Sequence, residues 1–158
     1  MNTLNERVTP TQLQQVEAYA DKLFAKVGID VEFTYHFKNR LNDPRNKKPI
    51  TAAELVRLFR ETFKMYGKKI PNLGPEAEAV ISDMKTDINV PFVLEVSPDG
   101  DLDLISKTVM RKKDYKTSNP VLELPESKNA LAAYLKESKA DKDPLFTSAK
   151  SYKLFSNM

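Results

Sequence analysis

The one histidine of this chain, His36, stands in the run Tyr35-His36-Phe37-Lys38-Asn39-Arg40, with Arg45 shortly after it. A second basic run, Lys107-Thr108-Val109-Met110-Arg111-Lys112-Lys113, followed by Tyr115, lies far along the sequence. Together they supply imidazole, guanidinium, ammonium and phenol, a set that suffices for metal-independent cleavage of RNA. In that chemistry a base takes the proton of a ribose 2′-hydroxyl, which attacks the adjacent phosphorus. Cationic groups stabilise the extra charge of the phosphorane, and a second group protonates the leaving 5′-oxygen. An ordinary imidazole titrates near ~6.5 and suits either proton transfer. The catalytic set is therefore read as His36, Arg40, Lys107 and Arg111. The phosphate-binding set is read as Arg45, Lys112, Lys113 and Tyr115. Tyr115, or a lysine whose pKa is lowered by cationic neighbours, is the candidate for the second proton transfer. This reading requires the fold to bring the two basic runs together.

Each of these residues also has a plainer reading. A lone histidine is more often structural than catalytic. Arg40 and Arg45 can pair with Asp43 or Glu54, and surface pairs of that kind contribute little. Arg111, Lys112 and Lys113 can be a solvated strand end, and Phe33, Tyr35 and Phe37 read as core.

Other chemistries are poorly supplied. The chain has no cysteine and one histidine, which excludes disulfides and argues against zinc. Its four glycines are not spaced as a P-loop or a dinucleotide fingerprint. No Ser-His-Asp arrangement is signalled. Asp99, Asp101 and Asp103 are conceivable magnesium ligands, but Ser97-Pro98-Asp99-Gly100 makes a solvated hairpin turn the better reading. No cofactor and no metal are expected.

The net charge of +3 conceals an uneven distribution. Between His36 and Ile70 ten Lys/Arg face three acids, between Pro75 and Asp103 eight acids face Lys85 alone, and Lys107–Lys116 is basic again. A polyanion would be drawn to one side of such a molecule and repelled from the other. No apolar run approaches the ~20 residues that span a bilayer, and Met1–Arg7 lacks the apolar core of a signal peptide. A cytoplasmic protein with no membrane partner is expected; the oligomeric state is left open.

These residues need elements to hold them. Thr9-Pro10 starts a helix over 10–27 whose apolar positions recur from Leu13 to Val27, and Gly28 stops it. Val31, Phe33, Tyr35 and Phe37 alternate with polar residues as in a strand over 29–37. Alternatively the chain turns helical near Tyr35, which puts His36 and Arg40 on one helical face. Residues 41–50 form a polar loop bounded by prolines, and Thr51 with Glu54 is a capping box opening a helix over 52–66. The alanines of 76–84 allow a helix, but a strand over 79–84 is the preferred reading; further strands are expected at 89–96 and 102–111, with a short edge strand at 121–124 and 97–100 as the hairpin turn. On the strand 102–111, Leu102, Leu104, Ser106, Thr108 and Met110 share one face, and Ile105, Lys107, Val109 and Arg111 the other. A helix at 127–138 and a polar arm at 139–158 end the chain. The class is α+β: N-terminal helices on a small antiparallel sheet, with 1–125 as one domain and 126–158 as a C-terminal helix and arm that either docks or stays mobile.

The run Tyr35-His36-Phe37-Lys38-Asn39-Arg40, then Arg45, then Ala53-Glu54-Leu55-Val56-Arg57-Leu58-Phe59, resembles a segment of small phage endoribonucleases. These belong to the barnase–EndoU–colicin–RelE superfamily, and the likeness is to the early-mRNA nucleases of T4-type phages. It covers roughly residues 35–60. The resemblance implies a RelE- or barnase-like fold, catalysis by His36, and Arg40 and Arg45 as phosphate ligands. It also implies RNA as partner, as mRNA or on the ribosome, and a phage-encoded protein acting in the host cytoplasm. In this chain the second arginine is displaced by one position, and the family's second catalytic histidine has no counterpart. The alternative is a non-catalytic nucleic-acid-binding, host-takeover or virion protein using the same basic face.

Overall fold

The two long helices open on reciprocal caps. In the computed structural model, which describes residues 8–126, helix α1 spans Pro10–Phe24, the short helix α2 Tyr35–Arg40, and helix α3 Ala52–Tyr66. Thr9 Oγ1 accepts from Gln12 N at 3.1 Å while Gln12 Oε1 accepts from Thr9 N at 3.0 Å. Thr51 and Glu54 repeat the exchange at 3.1 and 3.0 Å. Such a cap is worth ~0.5–2 kcal/mol, because two N–H groups that the first turn leaves without partners are satisfied. Helix α1 tightens into a 3-10 turn at Ala25–Val27 and stops at Gly28, whose φ of +78° suits a residue without Cβ. No helix among the described residues is long and apolar enough to cross a membrane.

Six strands form one sheet: β1 (Ile29–Phe33), β2 (Glu78–Asp83), β3 (Ile88–Val96), β4 (Leu102–Ser106), β5 (Met110–Arg111) and β6 (Val121–Leu124). Their spatial order is β1-β4-β3-β2-β6, with β5 beside β3. The centre, β2–β3–β4, is antiparallel; β1 lies parallel to β4 and β6 parallel to β2. The class is α+β, with helices covering one face of a mixed sheet. Register places Ile29, Val31 and Phe33 beside Leu102, Leu104 and Ser106, which face Val96, Leu94 and Phe92. Val96 is exposed at the strand end; the others, with Val90, Ile81, Leu122 and Leu124, make the floor on which Phe24, Leu58 and Phe59 of the helices are buried.

Two expectations change here. Of the two readings of 29–37, the one observed is the helical turn near Tyr35: the alternation ends at Phe33, and Thr34 caps α2, its Oγ1 accepting from Phe37 N at 3.0 Å. Phe33 and Phe37 stack with centroids 4.3 Å apart, as residues four apart across a helix start do. Tyr35 is 79% exposed, so its expected place in the core is corrected: helical spacing separates it from those two phenylalanines.

The strand expected over 102–111 is interrupted, and Pro91 on β3 is the reason. Pro91 O accepts from Lys107 N at 2.9 Å, the half of a ladder pair that proline can make. Its missing N–H leaves the Lys107 carbonyl without a strand partner, and Thr34 Oγ1 donates to it instead at 2.9 Å. Pairing then resumes one residue out of step. Phe92 lies opposite Ser106, but Asn89 lies opposite Met110 and Ile88 opposite Arg111. This is a bulge, with one extra residue in the Lys107–Val109 stretch. A one-residue slip exchanges the faces of everything after it. Val109 becomes buried, and Arg111, expected on the face of Lys107, turns to the face that carries the helices. The helix and arm expected over 127–158 lie outside the described residues.

Candidate functional site

The loop between α2 and α3 is fixed by buried side chains. Asp43 Oδ1 accepts from Arg45 N at 2.8 Å and caps the 3-10 turn Pro44–Asn46. Asn46 is 5% exposed. Its Nδ2 donates to the carbonyls of Arg40 and Leu41 at 2.8 and 3.3 Å, and its Oδ1 accepts from Arg111 N at 3.1 Å. The Arg111 guanidinium grips the same loop from the other side. Nε donates to Lys48 O at 3.0 Å; Nη2 donates to Pro49 O at 2.6 Å and to Glu54 Oε1 at 2.8 Å. Nη1 donates to Glu54 Oε2 at 3.2 Å and to Thr86 O at 2.9 Å. A guanidinium has five N–H donors, and here all of them have acceptors. Burial works against the Glu54 carboxylate, but the hydrogen bonds and charge of Arg111, with the Thr51 N–H, outweigh it and hold the carboxyl below its usual range.

Between this loop and residues 109–115 lies a cleft of about 750 Å³, where the two basic runs meet. Arg40, Arg45, Lys47 and Lys48 line one side; Arg111, Lys112, Lys113 and Tyr115 line the other. Among the described residues, Asp43 and Asp87 are the acids on its wall. Asp43 holds Arg45 in a two-pronged pair at 2.9 and 3.1 Å, with Arg40 Nη1 at 3.7 Å. The hydrogen bonds from the Arg45 side chain, then its N–H, lower the Asp43 carboxyl to about 2, so Asp43 stays ionised and offsets part of the arginine charge. Lys47, Lys48, Lys112 and Lys113 are exposed, and among the described residues no ion pair involves them.

The cleft wall is also where the backbone is strained. Lys47 has φ 64° and ψ −51°, and Lys48 N donates back to Asn46 O, a γ-turn of the rarer hand. Asp87, at φ 65°, lines the cleft too, and Asp114, at φ 56°, sits between Lys113 and Tyr115. These are three of the four non-glycine residues with positive φ among those described; the fourth is Glu76. Such residues cost of order 1–3 kcal/mol each and persist where the surroundings hold them.

The eight residues singled out from the sequence separate into three groups. Arg40, Arg45, Lys112, Lys113 and Tyr115 line the cleft. Arg111 lines it as well, but its donors are already engaged by the protein itself. His36 and Lys107 stand outside the lining. Lys107 Nζ reaches Glu78 Oε1 at 3.2 Å, and His36 is exposed on α2, whose cap residue Thr34 holds the Lys107 carbonyl. Sequence reasoning passed over Lys47, Lys48 and Asn46. The available signal was the pair of prolines, Pro44 and Pro49, that bracket two adjacent lysines and restrict the loop carrying them.

Charge is distributed lengthwise. The start of β4 is acidic: burial first, then the neighbouring charges of Asp99, Asp101, Glu95 and Asp21, raise the Asp103 carboxyl, and Asp30 behaves alike beside it. The far end of that line carries the basic cleft. Among the described residues no group of three or more His, Cys, Asp or Glu is arranged to hold a metal ion.

The cleft thus presents ammonium groups on both sides and a tyrosine beside Lys112 and Lys113, with no imidazole in its lining. That arrangement suits binding an extended anion better than transferring protons. No family model, curated protein or solved structure matches this chain.

Proposed function

We propose that the cleft binds the phosphate backbone of nucleic acid, with RNA as the first ligand to test. The observation that carries this reading is the meeting of Lys47 and Lys48 with Lys112 and Lys113 across one cleft. The positive-φ backbone of Lys47 and Asp87 in the lining supports it independently of charge. The test is the salt dependence of binding to a single-stranded RNA. Each phosphate contact adds about 0.7 to the slope of log K against log salt, so four lysines give about −2.8. Affinity should then fall about fifty-fold between 50 and 200 mM salt, following that slope. In the Lys112→Gln/Lys113→Gln variant the slope should halve and the fall shrink to about seven-fold. Binding that ignores salt, or survives replacement of all four lysines by glutamine, refutes the reading.

A second reading, RNA cleavage, is favoured by one observation: exposed His36 lies one helical turn from Arg40 on the cleft wall. A strand leaving the cleft past Arg40 would run toward that imidazole. This reading predicts 2′,3′-cyclic phosphate ends formed in EDTA and lost in His36→Ala. Intact RNA after incubation leaves binding alone.

A further inference from the structure

Resting on that reading of the cleft, we propose that Asn46 and Arg111 are positioning residues that set the separation of the two lysine pairs, and that Arg111 is not a phosphate ligand. Asn46 immediately precedes Lys47, and its side chain ties that point of the loop to α2 and to β5. Arg111 holds the carbonyls of Lys48 and Pro49, which follow Lys47. The first lysine pair is therefore anchored on both sides. The second pair follows Arg111 directly in the chain. Lys112 N donates to Asp87 O at 2.8 Å, and Asn89 Nδ2 donates to Lys112 O at 2.9 Å. Both pairs thus hang from one end of the sheet through two nearly buried side chains, one of them uncharged.

The lysine side chains remain free to adjust, but the backbones that carry them do not need to be ordered on binding. A site held in this way loses less conformational freedom when its ligand arrives. Arg111 has no donor left to offer a phosphate unless it gives up Glu54 or a carbonyl.

Two variants separate positioning from direct contact, and neither changes the charge of the cleft. Asn46→Ala removes no charge at all. Arg111→Lys keeps the charge but cannot span five acceptors. With the single-stranded RNA used above, each variant should bind about ten-fold more weakly. The slope should move from about −2.8 toward about −1.4, because one lysine pair engages at a time. A merely destabilised protein lowers the folded fraction and leaves the slope of its bound form unchanged, so the slope is the decisive reading. Circular dichroism sets the folded fraction; should Asn46→Ala fail to fold, Arg111→Lys carries the same test. Full affinity and an unchanged slope in the variants, with the wild type binding as expected, overturn the inference alone. A wild type without salt-dependent binding overturns the reading of the cleft instead.

Discussion

Replacing Arg111 by methionine keeps most of the volume of its stem and removes every donor. The side chain is 10% exposed and its partner Glu54 20% exposed. The change leaves a carboxylate and the carbonyls of Lys48, Pro49 and Thr86 to find other partners in a partly closed space. Breaking a buried ion pair by removing one partner costs about 3–5 kcal/mol. Some water reaches Glu54, so about 2–4 kcal/mol is expected here. For a chain of this length each kcal/mol moves the melting point by about 2–4 °C, so Arg111→Met should melt roughly 5–15 °C lower. Arg45 makes an equally well-formed pair with Asp43, but its side chain is 71% exposed. Arg45→Met is therefore expected to melt with the wild type. Differential scanning calorimetry of the two variants at neutral pH decides the matter. An Arg111→Met protein that melts with the wild type, or an Arg45→Met protein that falls by as much, would refute the reasoning that separates the two arginines by burial.

Two further outcomes follow from single groups. Ser106 is fully buried and its Oγ has no hydrogen-bond partner, so Ser106→Ala should hold stability or raise it by about 1 kcal/mol in urea denaturation; a lower urea midpoint refutes this. Glu54→Gln keeps the capping box but removes the charge that Arg111 holds. The Glu54 carboxyl is held below its ordinary 4.5 in the folded protein, so its contribution is full above that value and is lost as pH falls through the depressed one. The gap in urea midpoint between wild type and Glu54→Gln should be open at pH 7 and closing at pH 3; a gap equally wide at pH 3 counts against the ion pair as its source.

Elements marked by their own chemistry were legible in the sequence. The helix over 52–66 and the strand over 121–124 appear at those positions, and Thr51 with Glu54 caps the helix as read. The α+β class followed from helical spacing at 10–27 and 52–66 with a hairpin turn at 97–100. What was hidden depended on pairs of residues far apart. Pro91 lies inside the expected strand 89–96, but its effect falls on Lys107, and through that on the face Arg111 takes. The sequence suggests that the two basic runs meet, but not that Glu54 engages Arg111, because Arg40 and Arg45 are its nearer basic neighbours in the chain. His36 drew notice as the one imidazole, but α2 leaves it outside the cleft lining. Lys47 and Lys48 looked like ordinary loop charges, since nothing local reveals that a buried asparagine holds them in place.

The parallel seam between β1 and β4 has a consequence for how the chain acquires its shape. Ile29 lies beside Leu102, so nothing local can close that pairing. The hairpin β3–β4 has a short loop and can form early, whereas β1 must wait for a loop of some seventy residues to close. During synthesis, α1 and β1 leave the ribosome long before β4 exists, with Val16, Phe24, Ile29 and Phe33 uncovered. The amino-terminal third is therefore the part most dependent on chaperones or on rapid completion of the chain, and changes that slow the central hairpin should lower yield in cells more than they lower the melting point of the finished protein.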